Sequence, residues 1–355
     1  MSGSWLPRAV PTMVGSMPHK DRTVVMDLVL SNVRDMPFWP QLSPYPAESM
    51  MEQYLEGLPG LRKTDGRVFV NTEDELFEKE LYDFYDDCVR ISEDPPSIKK
   101  SERFAFGPET GRTFRFFVEA LKKRLPVKAV KGQVVGPFTL LSGLRDHRGR
   151  LLLYDDRMVD VVTRHLAMKG LWQLYQLKEL SDRVIIFYDE PALAGFGSSA
   201  FISISHGFVS NLINEVVSIL KPAGALIGIH VCANTDWSLL LNSSIDIVNF
   251  DAYNYGEKFL IYGSQIVSFL ERGGLVAWGL IPTDEEEKVF CETSRELFER
   301  AIALFGKLGA PDRWVAERAI ITPSCGCGTL SEKAAERVIE LLIGTSDNIR
   351  DYFGF

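Results

Sequence analysis

Eight short apolar runs, rich in β-branched and aromatic residues, recur along this 355-residue chain, at 12–16, 37–42, 127–135, 184–188, 225–231, 245–250, 275–280 and 319–322. Such residue types favour strands. Helical periodicity fills many of the gaps between them: 155–180, 207–220 stopped by Pro222, 284–308 stopped by Gly309, and 331–342 opened by Ser331 as a cap. Strands alternating with helices call for a parallel sheet, and eight such units are the count of a closed (β/α)8 TIM barrel, an α/β fold. Residues 1–355 then read as a single catalytic barrel domain. Residues 50–125, after the second run, mix acidic and basic stretches with aromatics and are expected to form an inserted cover of exposed helices.

A barrel gathers whatever stands at the C-terminal ends of its strands at one mouth. Ser16, Asp189, Glu190, His230, Cys232, Asp251 and Cys325 all lie at or just past the ends of their runs, which makes that mouth the expected place for chemistry. A doubly wound sheet finds less support. Gly195 and Gly197 in GFGSSA match a loose dinucleotide fingerprint, but the preceding strand has already ended at Asp189 and no acidic strand end follows at the required spacing.

Composition narrows the function. With 46% hydrophobic and 25% charged residues the chain is of the soluble globular type, and no apolar run approaches the ~18 residues of a membrane span. The opening MSGSWLPRAV lacks the charged-then-apolar pattern of a secretion signal, so a cytoplasmic location is expected. Five dispersed cysteines suggest reduced thiols rather than a disulfide framework. A net charge of -9 attracts neither nucleic acid nor an anionic membrane, leaving a small molecule or another protein as the expected partner.

The stretch GIHVCANTDW carries the sharpest chemical signal. His230 and Cys232 stand two apart at a strand end, so both face one side, and an imidazole beside a thiolate suits zinc. A third ligand is available from Cys325 or Cys327 in ITPSCGCG, and spacing alone does not choose between them. Three protein ligands leave zinc one open position, as in catalytic sites. The H-x-E and P-C-x-x-C pattern of a zinc nucleobase deaminase is absent. Thiolate ligands make zinc a poorer acid towards water while a bound substrate thiolate stays nucleophilic, which favours sulfur alkylation.

Five motifs occur in matching order: VGSMP at 14–18, GPFTLL at 136–141, YDEPAL at 188–193, HVC at 230–232 and PSCG at 323–326. Over residues 10–342 they resemble the C-terminal catalytic barrel of cobalamin-independent methionine synthase. The resemblance implies a zinc-dependent methyltransferase of methionine biosynthesis with homocysteine as substrate. It implies His230, Cys232 and Cys325 as metal ligands, with Asp251 in the place of the family's carboxylate ligand, a Glu. It further implies Gly15 and Ser16 as contacts for the amino acid carboxylate, and Asp189, with Glu48 as a weaker candidate, as partner for its ammonium group.

The chain departs from that family on the methyl-donor side. Ser142 and Gly143 stand where the family has a folate-stacking Trp, Gly195 stands where it has a folate-binding Glu, and no His follows His230 to match its proton donor. HVCANT is also similar to the H-x-C-G-N of corrinoid-dependent thiol methyltransferases in the uroporphyrinogen decarboxylase superfamily. Cobalt leaves a methyl group without needing a proton, whereas folate's amine does. The expected donor is therefore methylcobalamin, free or on a corrinoid protein. The alternatives are 5-methyltetrahydrofolate as donor, a different thiol such as coenzyme M as acceptor, or a metal- or corrinoid-binding accessory protein without turnover.

Overall fold

A computed structural model describes residues 5–355; residues 1–4 of the N-terminal stretch lie outside the described residues. Six of the eight expected runs form strands close to their expected bounds, the first shifts to two short pieces flanking 12–15, and the second shrinks to Gln41–Leu42 with a bridge at Phe38. We label them β1, in two pieces, Val10–Pro11 and Ser16–Met17; β2, Gln41–Leu42; β3, Val130–Val135; β4, Val184–Asp189; β5, Leu226–Val231; β6, Ile247–Phe250; β7, Leu275–Ile281; and β8, Ala319–Pro323.

Every pairing between neighbouring staves is parallel. A curved seven-stranded sheet runs from the first piece of β1 through β8, β7, β6, β5 and β4 to β3. The second piece of β1 pairs with β2, Ser16 opposite Gln41, and a bridge from Phe38 to Lys131 joins the residues before β2 to β3. The split in β1 thus lets one strand serve both ends of the sheet and close the ring. Helices return the chain between staves, among them Arg22–Asn32, Asp156–Leu177, His206–Leu220 and Ser294–Gly306, and Glu332–Phe353 follows β8. The expected 284–308 helix is broken. A capping box between Thr293 and Glu296 starts a new helix after Glu286–Cys291, because the Thr side chain competes for backbone N–H groups that an uninterrupted helix would use internally.

Side chains alternate in and out along each stave, so ladder partners share a layer inside the barrel. The lower layers are apolar: Ile185, Phe187, Ile247, Leu275, Ala277 and Ile320 pack with Val10 and Met36. Gly228 is required there, since a Cβ would come within 2.2 Å of the Phe187 ring. One step nearer the mouth the inward positions turn polar. Asp189 pairs in register with His230, and His230 with Asn249. These polar residues are buried, and Asn249 satisfies its amide on the neighbouring staves.

The insertion is not purely helical. It contains helices Phe77–Glu93 and Arg112–Lys122, but Leu61–Thr64 and Arg67–Val70 form an antiparallel hairpin. Its two-residue turn holds Asp65 at φ 51° and Gly66 at φ 75°, the left-handed pair that a tight hairpin turn demands. Nor is it merely a solvated cover. Tyr54, Phe104, Phe106 and Phe114 are buried, and Tyr54 donates its hydroxyl to the Gln133 carbonyl of β3 at 2.8 Å.

Candidate metal centre at the barrel mouth

β5 delivers the first two side chains. His230 is buried and Cys232 half-buried at its C-terminal end, and Cys325 reaches them from the turn after β8. One ligand atom from each of the three lies within 4.8 Å of the other two. Asp251 and Cys327 are not part of this group. Cys327 instead is fully buried in the apolar core, its thiol pushed up to about 12 by burial. The choice that spacing left open between Cys325 and Cys327 thus falls geometrically to Cys325.

The imidazole is prepared on one side only. His230 Nδ1 lies 2.7 Å from Asn249 Oδ1, while Nε2 is buried without a partner. Burial pushes the imidazole down to about 4, so the ring is neutral at physiological pH and its free lone pair can bind a metal. The two thiols perturb each other: Cys325 lowers Cys232 from its ordinary value, and Cys232, with burial, raises Cys325. A buried imidazole nitrogen without a partner, close to two cysteine sulfurs, fits a soft divalent cation such as zinc, which would displace the thiol protons on binding.

Around the group, the remaining expected residues divide into two sets. Asp189 is buried with Oδ1 unpartnered, and desolvation raises its carboxyl well above the ordinary range, against the opposing pull of the Lys131 ammonium. Ser16 is joined to the Cys325 turn: its carbonyl accepts from Cys327 N–H at 2.9 Å and its Oγ from Gly328 N–H at 3.2 Å. Gly326 approaches so closely that a Cβ would fall 2.0 Å from Ser16 Oγ, so this turn tolerates no side chain. Gly15 is similarly pressed against the Gln133 side chain, 2.9 Å from where its Cβ would stand.

The second set is committed to the fold. Glu48 Oε1 accepts from Arg22 at 3.1 Å and from Thr113 Oγ1 at 2.7 Å, and Oε2 accepts from Leu42 N–H at 3.2 Å. Asp251 caps helix Ala252–Leu260, accepting from the Asn254 N–H and side-chain amide, each at 2.8 Å. Its charge nonetheless reaches Cys232, whose thiolate it disfavours. Glu190 accepts from Phe138 N–H at 3.0 Å and from Thr139 N–H at 2.8 Å.

Sequence reasoning missed Asn249 and Lys131. Both are polar residues at inward strand positions, and that alternation was the available signal. Tyr54 was missed too, being brought in by the insertion, where burial and then the Asp189 charge raise its phenol.

No family model matches the sequence, and neither does any curated protein. Solved structures do. A putative vitamin-B12-independent methionine synthase from Listeria monocytogenes is 12% identical, with a TM-score of 0.59 over 96% of this chain and 97% of that one. A B12-independent methionine synthase from Shewanella sp. W3-18-1, in complex with selenomethionine, is 19% identical, with a TM-score of 0.50 over 67% of each chain. At these identities the likeness establishes the barrel fold alone.

Proposed function

We propose that this chain is a zinc-dependent methyltransferase that converts homocysteine to methionine. The observation that carries the reading is the convergence of His230, Cys232 and Cys325 to within 4.8 Å at the barrel mouth, with a buried imidazole nitrogen left unpartnered. Bound by these three residues, zinc would supply the positive charge that lets a substrate thiol ionise at neutral pH.

The chain's own groups account for the rest of the substrate. Asp189 Oδ1, buried and unpartnered, accepts from the ammonium group. Ser16 Oγ already accepts from Gly328 N–H and keeps its own proton to donate to the carboxylate, beside the Gly15 backbone. Glu48 takes no part, because both its oxygens are engaged inside the fold. In this arrangement the amino acid is fixed at both polar ends and its sulfur is held at the metal-ligating group, so positioning supplies much of the acceleration.

We read the methyl donor as methylcobalamin, free or presented by a corrinoid protein. The space that a large side chain at position 143 would need is filled by Met51, whose Cε lies 2.6 Å from where a Cβ would stand. A donor that leaves without a proton also suits a mouth whose carboxyl groups are engaged by backbone or kept for the ammonium. The second reading, 5-methyltetrahydrofolate, is favoured by the names of the two structural neighbours, both B12-independent methionine synthases. Beside Gly143 an open cleft of about 550 Å³, lined by Arg67, Arg145 and His147 together with Asp65 and Asp146, has room for the glutamate tail of a folate or the phosphodiester loop of a cobalamin.

Cobalt substitution tests the metal and the thiol together. One Co²⁺ per chain, with a thiolate-to-cobalt absorption band that changes when homocysteine is added, is the expected result. A band insensitive to homocysteine would contradict thiol binding at this site.

A further inference from the structure

Asn249, on β6, stands between the two halves of the metal site. Its Oδ1 faces His230 Nδ1 at 2.7 Å, and its Nδ2 donates to the Ala277 carbonyl of β7 at 2.8 Å and to Thr322 Oγ1 of β8 at 2.9 Å. These partners fix which way the amide points. A flipped amide would set its oxygen against the Ala277 carbonyl, acceptor against acceptor, and its NH₂ against the imidazole. With Oδ1 towards the ring, Nδ1 must carry the proton, and Nε2 must present its lone pair.

We propose that Asn249 is the positioning residue of the metal centre: it selects the Nδ1–H tautomer of His230 and ties the ligand on β5 to the strand that leads into Cys325. The connection is short. Thr322 stands three residues before Cys325 in sequence, and Asn249 reaches it across β7. All members of this relay are completely or almost completely buried, so no water competes for the amide. A ligating histidine that gives its second N–H to a fixed acceptor binds metal more tightly, and loss of such a partner typically costs 10–100-fold in affinity. A neutral amide has a further consequence. Unlike a carboxylate, it adds no negative charge to a site that already holds two cysteines, which keeps the metal more electrophilic towards a third sulfur.

The inference rests on the metal reading of His230, Cys232 and Cys325, and the test separates the two. Co²⁺ titration and ¹⁵N-imidazole NMR of metal-free protein are run on the parent, Asn249→Leu and Asn249→Asp. The Leu variant removes the acceptor, whereas Asp keeps an oxygen towards the ring and can still accept from Thr322, at the cost of setting its second oxygen against the Ala277 carbonyl. The expected results are an Nδ1–H tautomer for His230 in the parent and in Asn249→Asp, a mixed or Nε2–H tautomer in Asn249→Leu, and Co²⁺ binding about 10–100-fold weaker in Asn249→Leu alone. Unchanged tautomer and affinity in Asn249→Leu would overturn the proposal. Should that variant fail to fold, Asn249→Asp decides alone, since an Nε2–H tautomer there would also overturn it. If the parent takes up no Co²⁺, the metal reading fails, and the tautomers still report on Asn249.

Discussion

Asp189 and Lys131 stand on neighbouring staves, both buried, yet they are not joined by an ion pair. Lys131 Nζ donates to the Val14 carbonyl and to Gln133 Oε1 at 3.3 Å and rests 4.8 Å from the centroid of the Phe187 ring. Asp189 Oδ1 is therefore left without a partner. A buried acceptor without a donor costs stability unless a ligand supplies one. Replacing Asp189 by Asn should raise the KM for homocysteine by about 30–1000-fold, the equivalent of about 2–4 kcal/mol for a buried charged pair, while zinc content stays at one per chain. An unchanged KM would remove Asp189 from the substrate site.

The three cysteines of the two motifs should separate by metal content. Cys232→Ser and Cys325→Ser should each lose stoichiometric zinc. Cys327→Ser should keep it and lose about 1–2 kcal/mol of stability, since it places a hydroxyl in an apolar core. Elemental analysis with denaturant melts distinguishes the three, and zinc loss in Cys327→Ser with retention in Cys325→Ser would reverse the assignment.

Asp251 gives a complementary case. Its carboxylate caps a helix, so Asp251→Ala should cost about 1 kcal/mol of stability and leave zinc stoichiometry unchanged. Loss of zinc in that variant would show that Asp251 exchanges its capping role for the metal.

Stability should fall with rising pH through Glu190. Burial pushes this carboxyl up to about 7 from an ordinary 4.5, despite the opposing hydrogen bonds from Thr139 and Phe138. The folded state then keeps a proton that the unfolded chain has already released, and the group's contribution is lost as pH rises from the unfolded value to the folded one. Urea melts at about pH 5 and about pH 8 should show the parent losing up to about 3 kcal/mol more than Glu190→Gln over that interval. An equal loss in both proteins would contradict the raised value.

Much of the barrel was legible because its strands announce themselves as apolar runs and its parallel order follows from the helices between them. The mouth was legible for a related reason: His230 and Cys232, at i and i+2, must share a face wherever the strand goes. The hairpin at Leu61–Thr64 and Arg67–Val70 escaped because its strands are half polar, though Asp65–Gly66 is the turn dipeptide that could have revealed it. Glu48 and Asp251 show a different limit. A carboxylate at the right place in a motif has the same sequence whether it faces a ligand or is consumed by Arg22, Thr113 or Asn254. Only the packing of the insertion and the local helix decides, and those contacts are long-range or depend on cap geometry.

The most direct test is methionine formation by zinc-loaded protein with homocysteine, supplied in parallel with methylcobalamin and with 5-methyltetrahydrofolate. Methionine is expected from methylcobalamin and is abolished in Cys325→Ser. Methionine from folate alone would replace the donor while keeping the thiol chemistry. No methionine from either donor, with or without a corrinoid protein, would contradict homocysteine methylation itself.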